Sequence, residues 1–156
     1  MSLTIGDIAP HFELFDTNKQ KQSLTDYLNK NLVLLFFPQA FSGVCTNEMC
    51  SFRDSLADYN DLNCNVVAIS VDSIFTQAKF KEINSLNFDL LSDFNKEVAP
   101  AYGAFYENWV FEMRGVARRA AFVIDKTGAI RYAEVLESAG DLPNFEAIKE
   151  TVAAIN

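Results

Sequence analysis

The sequence predicts an α/β protein in which a mixed central sheet is flanked by helices, with a hairpin near the N-terminal end of the chain. Two segments, 31–37 and 66–71, are almost unbroken apolar runs, which is typical of neighbouring parallel strands covered on both faces. A helical pattern follows each run, and segments 121–124 and 129–136 indicate an antiparallel hairpin around the turn 125–128. Parallel strands joined by helices and closed by an antiparallel pair predict an α/β sandwich with a mixed sheet.

Residues 10–27 predict the N-terminal hairpin and a short helix after it. Phe12 and Leu14 alternate with polar neighbours before the polar turn 16–19, which favours a hairpin. Ser23 or Thr25 then offers a side-chain oxygen that suits the cap of a helix.

The helix predicted over 45–62 has one apolar face and begins at Cys45. Pro38 ends the preceding strand, because proline has no N–H group for the ladder of the sheet. The apolar face recurs at intervals of four, three, four and three residues, at Cys45, Met49, Phe52, Leu56 and Tyr59. Cys45 is therefore expected on the inward side of the first helical turn, where unpaired amides and the helix dipole favour thiolate over thiol.

The second half of the chain continues the alternation of helix and strand. The helix predicted over roughly 75–86 has an apolar side made of Phe75, Ala78, Ile83 and Leu86. Segment 88–93 indicates a short strand, 96–102 is weakly helical, and 103–118 is irregular. The last helix has an apolar face made of Phe145, Ile148, Val152 and Ile155.

Composition limits the class of protein. Residues 1–156 contain no linker, internal repeat or low-complexity tract, so we expect one domain. The net charge of −8 argues against a nucleic-acid binder. The sequence has no apolar run of about 18 residues and no basic and apolar leader, so neither a membrane span nor classical secretion is expected. An odd number of cysteines, three, fits a reducing cytoplasm.

Few residues are available to activate Cys45. The one histidine, His11, lies far away in the sequence, so a Cys–His hydrolase would depend on a distant residue. Three cysteines alone cannot supply a zinc site of two cysteine pairs. Activation is therefore expected from the helix end or from a basic side chain, and Arg118 and Arg119 directly precede the strand 120–124.

Residues 38–45, Pro-Gln-Ala-Phe-Ser-Gly-Val-Cys, resemble the P-x-x-x-[T/S]-x-x-C motif of the peroxiredoxins, which are thiol peroxidases with a thioredoxin-like fold. Within this family, residues 41–45 are most similar to the AhpE and bacterioferritin-comigratory-protein (PrxQ) groups. The resemblance extends over nearly the whole chain, in order, through Gly6-Asp7-x-Ala9-Pro10-x-Phe12, Val71-Asp72 and Arg119-Ala-Ala-Phe-Val-Ile-Asp125.

The resemblance implies a role for each matching residue. Cys45 corresponds to the peroxidatic cysteine, whose thiolate attacks the O–O bond, and Ser42 to a hydroxyl that donates to the peroxide or accepts from it. Arg119 corresponds to the arginine that stabilises the thiolate and polarises the peroxide. Pro38 corresponds to a residue that shields the thiolate from water, and Glu48 to a glutamate that orients the arginine.

The resemblance also implies that the amides of Val44 and Cys45 complete the oxygen-binding pocket. Ser42 departs from the threonine usual in the family, and the missing methyl group leaves its hydroxyl less firmly held. No bound cofactor or metal is implied.

The cysteine pattern leaves the subclass open. Cys50 has the spacing from Cys45 that resolving cysteines use in the PrxQ group, but five residues on an intact helix are too far apart for a disulfide, so the first turns would have to unwind. A one-cysteine enzyme resolved by an external thiol is the alternative. Cys64 precedes the second core strand and is predicted to be a packing residue. A disulfide oxidoreductase of thioredoxin type would need Cys-x-x-Cys, which the sequence lacks.

The resemblance also suggests partners. A peroxide would be the substrate, and a thioredoxin- or glutaredoxin-like protein the reductant. Phe41 and the segment 102–109 are predicted to form a homodimer surface beside the site, as flanking loops do in similar proteins.

Overall fold

The computed structural model describes residues 2–156, which form nine strands and four helices. The strands are β1 (Glu13–Asp16), β2 (Lys21–Ser23), β3 (Asn31–Phe36), β4 (Cys64–Ser70), β5 (Asp89–Ser92), β6 (Phe105–Tyr106), β7 (Val116–Ala117), β8 (Ala120–Ile124) and β9 (Ile130–Val135). The helices are α1 (Gly43–Asp61), α2 (Ile74–Ile83), α3 (Val98–Ala101) and α4 (Phe145–Ile155). Within this described part of the chain, no helix combines the length and apolar character that a bilayer crossing requires.

Seven strands form one mixed sheet in the order β2-β1-β5-β4-β3-β8-β9. β3, β4 and β5 run parallel to one another, whereas β1 and β8 are antiparallel to their neighbours in this parallel core. β1 pairs with β2, and β8 with β9, as antiparallel hairpins. The predicted mixed sheet, the parallel pairing of the two apolar runs and both hairpins are confirmed.

Each face of the sheet has its own hydrophobic layer, because successive residues of a strand point to opposite faces. On the face covered by α1, α2 and α4 lie Val33, Leu35 and Phe37. On the opposite face, covered by α3 and the N-terminal segment, lie Leu32, Leu34 and Phe36. All six are 0% exposed. A strand covered on both faces accounts for the unbroken apolar run in the sequence.

The carboxyl ends of β3 and β4 meet at one edge of the sheet, directly before α1 and α2. The register pairs Phe36 with Ile69 of β4 on one side and with Ala120 of β8 on the other. Arg119 comes immediately before Ala120, so the fold places it beside the end of β3. Ligand sites in α/β sheets form at this edge.

The predicted apolar face of the second helix is wrong. α2 ends at Ile83, and Phe75 and Ile83 are 70% and 59% exposed. The helix buries Phe80 and Gln77 instead. Gln77 is tolerated in the interior because its amide nitrogen donates hydrogen bonds to acceptors on β4 and β5.

The segment 102–118 differs from its prediction in two respects. It contains a short antiparallel ribbon formed by β6 and β7, whose two-residue strands are too short to produce a recognisable period. Tyr102 is fully buried, with its ring 5.2 Å from that of Phe36 and 5.3 Å from that of Phe122. Tyr102 is therefore a core residue, and the prediction that it contributes to a dimer surface is wrong.

Candidate active site

Cys45 lies in the first turn of α1, directly beyond the carboxyl end of β3. Ser42 occupies the N-cap position, so the amides of Gly43, Val44 and Cys45 have no acceptor inside the helix. Among residues 2–156 no other acceptor lies within hydrogen-bonding distance of these three amides. The Cys45 side chain is 0% exposed. A buried sulfur therefore lies in the helical turn that carries the unpaired amides and the positive end of the helix dipole.

Arg119 connects Cys45 to Glu48. Its Nη2 donates to Cys45 Sγ at 3.2 Å, and its Nη1 donates to Glu48 Oε1 at 2.8 Å. Nη2 also donates to the carbonyl oxygen of Ala139 at 3.0 Å. Arg119 is 1% exposed and Glu48 is 0% exposed, so the whole group is shielded from water. Ala139 could not be recognised in the sequence, because any residue can supply a carbonyl oxygen.

The electrostatics of the group depend on Arg119 remaining charged. Burial acts to lower the pKa of Arg119, but the charges and hydrogen bonds of Glu48 and Cys45 outweigh it and raise the pKa overall. Burial raises the pKa of Glu48 to about 7 even though Arg119 lies beside it. Glu48 Oε2 has no hydrogen-bond partner in the described structure, so the carboxylate is only half satisfied.

The Ser42 hydroxyl is held by the loop that precedes α1. Its Oγ donates to the carbonyl oxygen of Gln39 at 3.0 Å and makes no side-chain cap to the helix amides. The Ser42 carbonyl oxygen accepts from the amide and the hydroxyl of Thr46, both at 2.9 Å. Because the proton of Oγ is already committed to Gln39, the lone pairs of Oγ remain free to accept a hydrogen bond.

A cavity opens beside the group and has an apolar rim. Its lining includes Ser42, Val44 and Arg119, and its rim includes the apolar side chains of Trp109, Val110, Phe111 and Met113. Pro38 is buried two residues after the end of β3, at the start of the loop that leads to Ser42. The sequence analysis marked 103–118 as irregular and predicted that 102–109 lies beside the site, which includes Trp109, but it did not identify residues 110, 111 and 113 as part of this rim.

Cys50 and Cys64 lie apart from the Cys45 group. All three cysteines are free, and α1 is continuous through residues 43–61. Cys50 is half-buried and its Sγ donates to Asn84 Oδ1 at 3.8 Å, which is a long contact.

Cys64 pairs in register with Asn31, at the opposite end of β3 from the site. Five residue steps along β3 separate Asn31 from Phe36, so Cys64 lies roughly 16 Å along the strand from the end that carries the site. Burial raises the pKa of Cys64 to about 12, so it behaves as a packing thiol.

The structure thus brings together a buried cysteine at a helix N-terminus and an arginine that is hydrogen-bonded to it, at the edge of a thioredoxin-like sheet. The sequence model of the AhpC/TSA family matches residues 5–133. The chain belongs to this family, the peroxiredoxins. It is therefore a peroxidase, which is a class of oxidoreductase.

Relatives and solved structures agree with this membership. Alkyl hydroperoxide reductase E of Mycobacterium bovis is 36% identical over 156 residues, covering 98% of each chain. The mitochondrial thioredoxin-dependent peroxide reductase of Rattus norvegicus is 34% identical over 157 residues, covering 94% of this chain and 58% of the relative. The crystal structure of peroxidoxin BcpB from Mycobacterium tuberculosis superposes with a TM-score of 0.87 at 29% identity, covering 99% of both chains.

Proposed function

We propose that Cys45 is the peroxidatic cysteine of this thiol peroxidase. Its thiolate attacks one oxygen of a hydroperoxide, the O–O bond breaks, Cys45 becomes a sulfenic acid, and the departing alkoxide or hydroxide takes a proton to leave as alcohol or water. The observation that carries the proposal is the 3.2 Å contact between Cys45 Sγ and the Arg119 guanidinium inside a buried group. The test is consumption of hydrogen peroxide and of an alkyl hydroperoxide by the reduced protein with dithiothreitol as electron donor.

The remaining roles follow from where charge develops. As the O–O bond breaks, negative charge grows on the leaving oxygen, and preorganised donors aimed at it lower the barrier. Arg119 and the amides of Val44 and Cys45 are the donors available. The Ser42 hydroxyl, with its own proton committed, accepts the hydrogen bond of the peroxide O–H. Pro38 shields the sulfur from water, and Glu48 orients Arg119.

Cys50 is the proposed resolving cysteine. Its thiol attacks the Cys45 sulfenic acid, water leaves, and a Cys45–Cys50 disulfide forms. The start of α1 must unwind first, because an intact helix separates the two positions by about 7.5 Å of rise and about 140° of rotation. Thr46 and Asn47 are weak helix formers, which makes this unwinding easier. The basic side chain of Arg53, three residues after Cys50, contacts the same residue, Asn84.

Oxidation with one equivalent of peroxide should therefore give a protein roughly two mass units lighter, with a Cys45–Cys50 disulfide. Peptide mapping checks the connectivity, and Cys64→Ser is the matched control, expected to leave the disulfide unchanged. A stable sulfenic or sulfinic acid on Cys45 would instead make the protein a one-cysteine enzyme, and a bridge to Cys64 would make that residue the resolving one.

A thioredoxin- or glutaredoxin-like protein is the proposed reductant, because the product is a protein disulfide that a dithiol can reduce. The similarity to a relative named thioredoxin-dependent peroxide reductase supports a thioredoxin. Three free cysteines support a reducing cytoplasmic location. Turnover measured with thioredoxin, glutaredoxin or glutathione as sole donor distinguishes the reductants.

The raised pKa of Glu48 predicts a pH dependence of folding stability. Because the folded-state pKa, about 7, lies above the ordinary value of 4.5, the stabilisation is complete below pH 4.5 and is lost as pH rises to about 7. In a Cys45→Ser background, which removes the thiol titration, the free energy of unfolding should fall by on the order of 3 kcal/mol between pH 4.5 and 8, relative to Glu48→Gln. Denaturant melts at several pH values measure this difference. Parallel pH profiles for the two proteins would contradict the burial of an ionisable Glu48.

A homodimer through the rim of the cavity is also proposed. Phe41 is 49% exposed, and Phe111, at the tip of the rim, is 92% exposed with a left-handed φ of 55°. A bulky side chain held at a positive φ and turned toward solvent costs backbone energy, which contact with a second copy offsets. Phe111→Ser should convert dimer to monomer in sedimentation velocity, with Phe75→Ser on a different exposed surface as the control. A wild-type protein that is monomeric at micromolar concentration would rule the dimer out.

A further inference from the structure

The loop between β3 and α1, residues 38–42, carries backbone strain directly before the active site. Phe41 has a φ of 72°, in the left-handed region that bulky residues rarely adopt. This turn brings the chain from the sheet to Ser42, the N-cap residue of the helix that carries Cys45. Strained backbone persists only where surrounding contacts hold it, so contacts made by this loop must keep it in place.

One hydrogen bond joins the loop to the sheet side of the molecule. The Ala40 amide donates to Asp72 Oδ2 at 2.8 Å. The other hydrogen bonds of the loop in the described residues stay within it or lead into α1, through Gln39, Ser42 and Thr46. The position of the turn relative to the sheet is therefore set by the Asp72 carboxylate, together with the packing of the Phe41 ring.

Asp72 is itself fixed by the ends of two core strands. The Ser70 hydroxyl donates to Asp72 Oδ2 at 2.7 Å, and Gln77 Nε2 donates to Ser70 Oγ at 2.9 Å, which commits the Ser70 proton to Asp72. Ser92 Oγ, at the end of β5, donates to the Asp72 carbonyl oxygen at 2.6 Å. Asp72 is 8% exposed and Gln77 is 0% exposed, so the network is sheltered from solvent.

Stability alone gives no reason for a carboxylate at this position. Burial raises the pKa of Asp72, and the hydrogen bonds from Ala40 and Ser70, which lower this pKa, do not outweigh it. The environment therefore disfavours the charged form of Asp72. A buried carboxylate whose pKa is perturbed and which contacts the active-site loop is a candidate for a functional role.

We infer that Asp72 is a positioning residue of the peroxidase reaction, which fixes the loop 38–42 and through it the Ser42 hydroxyl and the first amides of α1. The inference rests on the function proposed for Cys45. Asp72 does not touch Cys45 or Arg119, so it acts on the groups that bind the peroxide and not on the thiolate. Its loss should therefore slow peroxide reduction without slowing simple alkylation of Cys45.

The test compares two second-order rate constants at neutral pH, one for oxidation by peroxide and one for alkylation of the Cys45 peptide by iodoacetamide. Asp72→Ala should lower the oxidation rate tenfold or more, since small displacements of reacting groups have effects of about that size or larger, while alkylation changes by less than about twofold. Asp72→Asn keeps an acceptor oxygen for Ala40 and should restore most of the oxidation rate.

Asp93→Ala is the matched control. Asp93 is also a buried carboxylate at the end of a core strand, but it caps α3 by accepting from the amides of Glu97, Val98 and Ala99. It should lower stability and leave the ratio of the two rates unchanged. If Asp72→Ala does not fold, Ser70→Ala takes its place in the test. Ser70→Ala should lower the oxidation rate about threefold relative to the alkylation rate.

Oxidation and alkylation rates that fall in parallel, or a ratio unchanged in the Asp72 and Ser70 variants, would overturn the inference. A ratio altered equally by Asp93→Ala would do the same. Failure of the Cys45 proposal has a different signature, because Cys45→Ser would then retain peroxidase activity whatever the Asp72 variants do.

Discussion

Replacing Cys45 by serine is expected to lower peroxide reduction below roughly 1% of the wild-type rate, because a serine hydroxyl without an adjacent base is a very weak nucleophile. The substitution is nearly isosteric, and Arg119 Nη2 can donate to the new hydroxyl oxygen as it does to the sulfur. We therefore expect the fold to be retained. Peroxide consumption measured alongside circular dichroism and thermal unfolding checks both parts.

Cys50→Ser and Cys64→Ser serve as controls for this result. Neither should slow the first oxidation, because the Cys45 group contains neither residue. Activity retained in Cys45→Ser and lost in Cys50→Ser would assign the nucleophile to Cys50.

Replacing Arg119 by methionine should slow the reaction with peroxide by about 10²–10³-fold, the size expected when a preorganised donor is removed. The loss of the positive charge should also slow alkylation of Cys45 by iodoacetamide near neutral pH, because less thiolate is present. Removing one partner of a buried ion pair usually costs about 3–5 kcal/mol of stability. The cost should be smaller here, because Glu48, with its pKa already near 7, is readily protonated.

Arg118→Met is the matched control for this prediction. Arg118 is the neighbour in sequence, but its guanidinium lies 5.2 Å from the centre of the Tyr106 ring and donates to the Leu136 carbonyl oxygen. Its replacement should change the peroxide step by no more than about twofold. Equal losses in the two variants, in either rate, would contradict the role of Arg119.

The sequence predicted the part of the fold in which local pattern and tertiary structure agree. The apolar run before Pro38 forms a strand buried on both faces, and the spacing from Cys45 to Tyr59 gives the inward face of α1. Cys45, Glu48 and Arg119 were named from motifs. Their contact depends on the antiparallel register of β3 with β8, which joins residues 71 and 74 positions apart in the chain.

Other features could not be predicted because nonlocal contacts override local pattern. Gln77 lies on the buried face of α2, where its amide nitrogen donates to acceptors on two strands, while Phe75 is left in solvent. The carbonyl oxygen of Ala139 bonds Arg119 only because the loop after β9 returns to the site. Val71-Asp72 was recognised as a family match, but its contact with Ala40 required the structure.

The central claim is that peroxide oxidises the sulfur atom of Cys45, which is paired with Arg119. The most direct measurement uses the Cys50→Ser, Cys64→Ser double variant, in which Cys45 is the only thiol, treated with one equivalent of hydrogen peroxide and analysed by intact mass. We predict that this thiol is lost and that the intact mass rises by about 16 units, the mass of one oxygen atom. In a parallel sample, dimedone should label the Cys45 peptide, which identifies the product as a sulfenic acid. An unmodified Cys45 in a protein that still consumes peroxide, or no consumption by this variant although the wild type is active, would contradict the account.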